Sequence, residues 1–240
     1  MTIKIGILTT NTPHHTYFVK EILKHYSDLK VFSETGNTKS QPFKTFHPFE
    51  KKRREYEITK WFNGKKTNLD DIADTKNFSS LNNNGAIQEI KKNNPDLIIV
   101  FGTGLLKPKV LETNPYNIFN LHGGDPERYR GLDTHLWAIY HNDFKALLTT
   151  LHRMAPKLDT GEIVLQSSIP IIQNLPLHCL QSMNTNICLK LTLSAINMYH
   201  IHGEIFSRPQ KKLGRYYSAM PSNLKAICVK KFENFSKNKK

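Results

Sequence analysis

The 240-residue sequence predicts an α/β protein built on a doubly wound, mainly parallel sheet. A short β-branched strand pattern at 3–8 is followed by a turn and by apolar residues at helical spacing within 16–26. A weak second strand at 31–32 completes the β-α-β start typical of a parallel sheet covered by helices. The run "DLIIVFG" at 96–102 is continuously apolar, which indicates a central strand buried on both faces.

The segment 36–84 has weaker periodicity than its surroundings. Within it, "FEKKRREYEITKWF" predicts a charged helix with a narrow apolar stripe, and "NFSSLNNNG" predicts a loop. A short helix over 86–93 follows and ends before Pro95.

Beyond the central strand, "LLKPKVLE" predicts a short helix and "NIFNLH" the next strand. Residues 136–140 form a predicted helix, whose start Asp133 or Thr134 would cap. Two strands, "ALLTTLHRM" and "IVLQSSIPII", flank the loop "APKLDTGE". A long helix is expected from Pro176 to about His200, and the following segment "EIFSRPQKKLGRYYSAMPSN" at 204–223 is expected to be irregular.

The net charge of +14 comes almost wholly from lysine, since 27 of the 34 basic residues are Lys and 7 are Arg. Proteins that read bases and phosphates bidentately favour Arg. The scattered lysines therefore disfavour a polynucleotide partner and favour bulk solubility, with a local patch for a phosphorylated small ligand left open.

The sequence predicts a cytoplasmic protein. No apolar run approaches the roughly 18 residues that span a membrane, and the start "MTIKIGILTT" lacks the long apolar stretch of a signal peptide. Cys179, Cys188 and Cys228 are odd in number and without Cys-x-x-Cys spacing, so we expect reduced packing residues and no metal site, with a nucleophile or metal role as the alternative.

The stretch "NIFNLHGGDPERYRG" at 117–131 carries the strongest chemical signal. Asn120 and His122 share one face of a predicted strand that ends in turn residues, and Asp159 lies in an Asp-Thr-Gly turn. An amide, an imidazole and a carboxylate suit acyl transfer to an amine, because they can stabilise an oxyanion, move a proton and hold the imidazole. Ordinary turn chemistry is the alternative for the same residues.

The spacing of "NLHGGDPERYRG" and the later "LDTGEIV" resembles the N10-formyltetrahydrofolate-dependent formyltransferases. The matching positions are Asn120, His122, Pro126, Arg130, Gly131, Asp159 and Gly161. The resemblance implies a Rossmann-like catalytic domain over 1–205, a short C-terminal extension over 206–240, and Asn120, His122 and Asp159 as catalytic residues. It also implies a folate site, because "DLIIVFGTGLLKPKVLE" resembles the family's folate-lining strand and loop. The implied contacts are Phe101, Gly102, Thr103, Gly104, Leu105, Leu106, Thr160 and Gly161.

Among these enzymes, the sequence looks most like bacterial sugar N-formyltransferases. The implied acceptor is the 4-amino group of a GDP- or dTDP-linked 4-amino-4,6-dideoxyhexose, used for O-antigen or lipopolysaccharide. His14, His15, Arg128 and Tyr129 are candidates near the nucleotide sugar. The segment "GRYYSAMP" is expected either to support the acceptor pocket or an interface, or to form a strand pair packed on the core.

Other acceptors stay open, namely methionyl-tRNA and a purine-pathway amine, as do a formyltetrahydrofolate hydrolase and a non-catalytic folate- or RNA-binding module. The 35 residues after position 205 are too few for the RNA-gripping domain of the methionyl-tRNA enzymes. A homodimer is also left open.

The expected mechanism assigns each group one task. Asn120 donates to the oxyanion, His122 handles the proton of the amine, and Asp159 holds the protonated imidazole or a relay water. The pKa of His122 is expected to lie close to its usual value of about 6.5.

Overall fold

The computed structural model describes residues 3–36 and 41–239. The strands are β1 (Ile5–Thr10), β2 (Leu29–Glu34), β3 (Thr75–Phe78), β4 (Leu97–Phe101), β5 (Ile118–His122), β6 (Tyr129–Gly131), β7 (Leu148–Arg153), β8 (Ile163–Ser168) and β9 (Arg215–Tyr217). The helices are α1 (Pro13–Leu23), α2 (Pro48–Phe62), α3 (Asn84–Asn93), α4 (Pro108–Leu111), α5 (Thr134–Tyr140), α6 (Leu180–His202) and α7 (Ser222–Lys237). Single 3-10 turns lie at Leu69–Asp71, Phe144–Ala146 and Leu177–Cys179.

One sheet organises the molecule, with the strand order β3-β2-β1-β4-β5-β7-β8. The first five strands in this order pair in parallel, and β7 and β8 add an antiparallel edge. The predicted doubly wound, mainly parallel fold is therefore confirmed. The predicted neighbours β4 and β5 do pair, with Val100 opposite Asn120.

The central strand β4 separates two apolar layers. Ile99 and Phe101 face the layer under α1 and α6, whereas Ile98 and Val100 face the layer under α3 and α4. Ile98 and Ile99 are both fully buried, as the uninterrupted apolar run predicts. Because successive side chains alternate between faces, Asn120 lies on the same side of the sheet as Val100.

Strand β3 was not predicted. It pairs with β2 at the edge of the sheet, and its sequence "TKNF" offers no apolar alternation. Lys76 and Asn77 are exposed there. An edge strand with a wet face needs few apolar residues, so the local sequence carries no strand signal.

Residues 204–223 are largely irregular, as predicted, apart from strand β9 and the start of α7. The charged tail beyond them forms the rest of the 16-residue helix α7, which was not predicted. Cys228 and Phe232 on α7 are fully buried in a cluster shared with α5. Lys225 is also buried, with its Nζ 3.1 Å from Glu50 Oε1 and 3.4 Å from Asp133 Oδ2. Lys230 and Lys237, by contrast, lie on the exposed side of this helix.

The capping prediction for α5 is wrong. Asp133 occupies the N-cap position, but its carboxylate accepts a hydrogen bond from the Met220 backbone N–H at 2.8 Å and pairs with Lys225. The Thr134 hydroxyl donates to the Gly123 carbonyl instead. Both side chains therefore connect α5 to other parts of the molecule.

The segment "GRYYSAMP" forms a strand pair, since β9 pairs in parallel with β6. Tyr217 packs against the cluster that contains Met220 and Phe232. The second of the two expectations for this segment, a strand pair on the core, is what the structure has.

The three cysteines are free and buried. Burial raises the pKa of each thiol, that of Cys228 to about 12, which suits unreactive packing residues. Across residues 3–36 and 41–239, no helix combines the length and the apolar character needed to cross a lipid bilayer.

Candidate active site

The end of β5 brings Asn120 and His122 to one face, as the two-residue spacing predicts. His122 is 5% exposed, and its Nε2 lies 3.0 Å from the Tyr129 carbonyl oxygen. A carbonyl only accepts, so Nε2 carries the hydrogen of the neutral ring. The lone pair of that tautomer is on Nδ1, 3.6 Å from Asp159 Oδ2.

Asp159 completes the predicted triad from a distant loop. Its backbone is left-handed, with φ of +52°, and its Oδ2 accepts the Gly131 N–H at 2.8 Å. Gly131 itself has φ of +100°, and a Cβ there would lie 2.1 Å from the Tyr217 carbonyl oxygen. Glycine is therefore required at the end of β6, and its backbone N–H fixes the carboxylate.

His152 is a member of the site that the sequence did not reveal. Its Nε2 lies 3.1 Å from Asn120 Nδ2 and 3.5 Å from Asp159 Oδ1. Its Nδ1 is 2.8 Å from the Arg153 carbonyl oxygen, so Nδ1 donates and Nε2 can accept from the Asn120 amide. The contact follows from the antiparallel register that places His152 opposite Asn120. The sequence pattern of the two strands does not predict this register.

Burial dominates the electrostatics of the site. It lowers the pKa of His122, whereas Asp159, the Tyr129 carbonyl and Asp125 act in the opposite direction without compensating fully. The expectation of a near-usual pKa is therefore wrong, because β5 ends inside the protein. Burial alone would raise the pKa of Asp159, but His122, His152 and the Gly131 N–H lower it to about 2. At neutral pH a neutral imidazole thus faces an ionised carboxylate.

The loop after β4 presents glycine backbone and one apolar side chain, Leu105, at the carboxyl edge of the sheet. Gly102, Gly104 and Leu105 are exposed, Leu105 to 61%, and Thr103 is half-buried. The Gly104 N–H donates to Glu34 Oε2 at 2.8 Å. Leu106 is buried in the layer under α3 and α4.

Phe101 differs from the other predicted folate contacts. Its ring faces the α1 layer, opposite to Asn120, and packs edge-on against His15 at 4.5 Å between ring centroids. The ring is thus a core group, and only the backbone of Phe101 lies at the strand end. Side chains alternate between the two faces of the sheet along β4, so Phe101 lies on the face opposite to that of its neighbour Val100.

The Asp-Thr-Gly turn is rigidly tied. Thr160 Oγ1 donates to the Lys157 carbonyl at 2.9 Å, and a Cβ on Gly161 would lie 1.7 Å from the Arg153 carbonyl oxygen. Thr160 is half-buried and Gly161 is buried. The two predicted contacts therefore shape the turn that carries Asp159.

His14 and His15 are placed on the α1 side of the sheet and are only 9% and 5% exposed. His14 Nδ1 lies 3.1 Å from Glu57 Oε2, and burial together with Arg53 lowers the pKa of His14 to about 3. His15 Nδ1 lies 3.0 Å from Thr10 Oγ1, and burial lowers its pKa well below the usual value. Both rings pack between elements, so the structure does not bring them to the triad.

Arg128 precedes β6 and Tyr129 begins it, and the Tyr129 carbonyl contacts His122. The Tyr129 hydroxyl donates to Asp143 Oδ2 at 3.0 Å, and Arg128 pairs with the same oxygen at 2.5 Å. They border a shallow cavity of about 320 Å³. Its other lining residues are Glu127, Lys212, Leu213, Gly214, Arg215 and Tyr217.

A larger cavity of about 550 Å³ lies at the opposite end of β5, around Asn117 and Arg153. There the Arg153 guanidinium donates to the carbonyls of Tyr116 and Ile205 and, at 2.8 Å, to Ser207 Oγ. These bonds tie the C-terminal segment to the sheet. The carboxyl ends of the parallel strands, where open α/β sheets bind ligands, are at the other edge.

Comparison with known proteins points to one family. The sequence model of the family described as formyl transferase matches residues 18–186, which include Asn120, His122 and Asp159. A methionyl-tRNA formyltransferase of Porphyromonas gingivalis is 29% identical over 143 residues, covering 60% of this chain and 44% of the relative. The chain thus spans less than half the length of this curated relative.

Two solved structures share the fold. The formyltransferase PseJ of Anoxybacillus kamchatkensis, in complex with UDP-4,6-dideoxy-4-formamido-L-AltNAc and tetrahydrofolate, matches with a TM-score of 0.54 and 19% identity over 90% of this chain and 85% of that chain. An N-formyltransferase of Helicobacter canadensis, in complex with folinic acid and dTDP-3-aminofucose, matches with a TM-score of 0.56 and 17% identity over 90% and 71%. At these identities the likeness establishes the fold alone.

Proposed function

Because this chain belongs to the formyl transferase family, we propose that it transfers a formyl group from N10-formyltetrahydrofolate to the 4-amino group of a nucleotide-linked 4-amino-4,6-dideoxyhexose. The observation that carries the proposal is that the buried His122 and Asp159 lie beside the half-buried Asn120 within the family-matched region. A GDP- or dTDP-sugar product would serve O-antigen or another surface polysaccharide.

The geometry supports a direct transfer without a covalent enzyme intermediate. The amine nitrogen attacks the formyl carbon, and Asn120 donates one amide N–H to the oxyanion while the other faces His152. The proton of the amine passes to Nδ1 of His122, directly or through a water. The resulting imidazolium faces Asp159 at 3.6 Å. Collapse breaks the bond between the formyl carbon and N10, and N10 takes the proton from His122.

The residues at the carboxyl edge fit a flat, hydrogen-bonding heterocycle such as the pterin of a folate. Gly102 and Gly104 expose backbone without a Cβ, and Leu105 adds an exposed apolar side chain. We assign the folate to this strip and to the turn around Thr160. The backbone of Phe101 belongs to the strip, whereas its ring does not.

We assign the nucleotide part of the acceptor to the shallow cavity beside β6. Arg128, Lys212 and Arg215 supply positive charge for a diphosphate, and Tyr217 offers a ring for a base. The carbonyl of Tyr129, which borders this cavity, binds His122, so a sugar attached to the nucleotide would extend towards the triad. PseJ, which shares the fold, was crystallised with a 4-formamido sugar nucleotide.

Methionyl-tRNA is the second candidate acceptor, because the curated relative with 29% identity acts on it. A purine-pathway amine and hydrolysis to formate are tested alongside it.

The test is a formyl-transfer assay with N10-formyltetrahydrofolate and, in parallel, GDP- and dTDP-linked 4-amino-4,6-dideoxyhexoses, methionyl-tRNA, glycinamide ribonucleotide, or no acceptor. We expect transfer to a sugar nucleotide, and a loss of at least about 100-fold in the His122→Asn variant. The control is His25→Asn, since His25 is exposed. Transfer to methionyl-tRNA alone, release of formate alone, or an active, folded His122→Asn variant would each refute the proposal.

A further inference from the structure

Asp159 needs a support for its backbone as well as for its carboxylate. Its φ of +52° lies in a sparsely populated region for a residue with a Cβ, so the surroundings must hold it there. Arg130 contributes from one side, where its NH1 group donates to the Leu158 carbonyl at 3.2 Å. The other side of the turn is held by the C-terminal segment.

Gln210 spans the turn with a single amide. Its Nε2 donates to the carbonyls of Asp159 and Gly161, each at 2.9 Å. A side-chain amide has two N–H donors, and carbonyls only accept, so this orientation is the one that satisfies both bonds. Gln210 Oε1 is buried and has no hydrogen-bond partner within the described part of the chain. Within the described residues, the Gln210 amide thus acts only as a hydrogen-bond donor, to the two carbonyls of the turn.

The backbone beside Gln210 is itself anchored. Arg208 and Ile163 exchange backbone hydrogen bonds of 2.8 and 2.9 Å, which join the segment to the start of β8. Glu127 accepts from Arg208 NH1 at 3.0 Å and from the Lys211 N–H at 2.6 Å. The amide thus extends from a fixed point, as a positioning group requires.

We propose that Gln210 is a positioning residue that holds the turn of Asp159, so that the carboxylate stays between His122 and His152. The catalytic meaning of this inference rests on the proposed function. The positioning of Asp159 by Gln210 does not depend on that function, because its effect on His122 can be measured in the protein without any substrate.

A loosened turn has a defined consequence for His122. The groups that face its ring are Asp159, His152, Asp125, His135 and the Tyr129 carbonyl. Asp159 is the strongest of those that favour the charged ring. If its carboxylate withdraws, the pKa of His122 falls further below the usual value.

The test is Gln210→Met, which keeps the length of the side chain and removes both donors without adding charge. The matched control is Gln173→Met, because Gln173 is exposed. NMR titration of the His122 ring in the free protein is expected to show a pKa about 0.5 to 1 unit lower than in the control. In formyl transfer, kcat is expected to fall roughly 10- to 100-fold, as for a misplaced catalytic group.

A folded Gln210→Met variant whose His122 pKa equals that of the control would overturn the inference. If this variant does not fold, Gln210→Ala replaces it, and failure of both to fold would also overturn it, since the amide would then serve the fold. If the native protein transfers no formyl group but the titration shows the shift, the proposed function fails and the positioning role stands.

Discussion

His122 shows how single contacts set chemistry in this protein. The Tyr129 carbonyl fixes one ring nitrogen as a donor, and this leaves the basic nitrogen facing Asp159. Burial keeps the free ring neutral, while the nearby carboxylate becomes most favourable once the ring has gained a proton. In the proposed reaction, the pair would stabilise the charged ring that proton transfer creates.

Asn120→Ala should lower the rate of formyl transfer by roughly 100- to 1,000-fold, as expected when one oxyanion donor is lost. Folding and folate binding should persist, because Asn120 is half-buried and makes its described side-chain hydrogen bond to His152 alone. Steady-state kinetics measure the loss, with the exposed Asn234→Ala as the control. A turnover within a factor of two of the native rate would remove Asn120 from the mechanism.

Gly104→Leu should weaken the binding of tetrahydrofolate by at least about 10-fold if the folate lies along the loop after β4. A Cβ at Gly104 already comes within 3.1 Å of Glu34 Oε2, and a longer side chain would cover the exposed backbone. Calorimetry measures the affinity, with Gly85→Leu as the control because a Cβ there meets open space. An unchanged affinity would place the folate elsewhere.

The C-terminal elements are part of the site's framework. Strand β9 pairs with β6, whose last residue binds Asp159 through its N–H. Helix α7 packs on α5, and Lys225 links it to Glu50 and to Asp133 at the start of α5. The segment after position 205 therefore contributes contacts to the framework that holds Asp159 and α5.

Phe232→Ala should lower the free energy of unfolding by about 3–5 kcal/mol, the usual result of emptying a buried phenylalanine site. Phe232 is fully buried between α7 and the cluster around α5, whereas Ile227 on the same helix is 40% exposed. Urea denaturation measures the difference, with Ile227→Ala as the control. Equal effects of the two substitutions would mean that α7 is not part of the cooperative fold.

The molecule as a whole carries a charge of +14 but buries several histidines in neutral form. Burial lowers the pKa of His15 and His122, and lowers that of His135 to about 4. The pKa shifts of His14 and Glu57 nearly cancel in their effect on stability, since the pKa of His14 falls to about 3 and that of Glu57 rises to about 7. Between the ordinary pKa values of Glu and His, about 4.3 and 6.5, the folded pair binds one proton, on Glu57. The unfolded chain also binds one proton in this range, on His14.

Stability should therefore fall as the pH is lowered. Below about pH 6.5 the histidines of the unfolded chain bind protons, whereas the buried rings of the folded protein stay neutral. The contribution of these histidines to the free energy of unfolding is therefore complete above about pH 6.5 and is lost progressively towards about pH 4. Urea unfolding at pH 7.5 and pH 5 should show the lower free energy at pH 5. His135→Gln should reduce this dependence, and His200→Gln, at an exposed site, should not. Equal stability at both pH values would contradict the assignment of neutral buried histidines.

The sequence alone determined the fold class and the central strand, and it predicted the three groups of the proposed triad. These signals are local: an apolar run marks a strand buried on both faces, and a two-residue spacing puts Asn120 and His122 on one side of a strand. Asp159 lies far along the chain from His122, where no local periodicity relates the two residues. The family motif supported its assignment.

Only the tertiary structure placed His152 and Gln210 in the site, turned the Phe101 ring away from it and lowered the pKa of His122. Each of these depends on which strand lies beside which and on how deeply a strand end is buried. Pairing register and desolvation arise between segments far apart in the chain, so the local pattern of residues does not contain them.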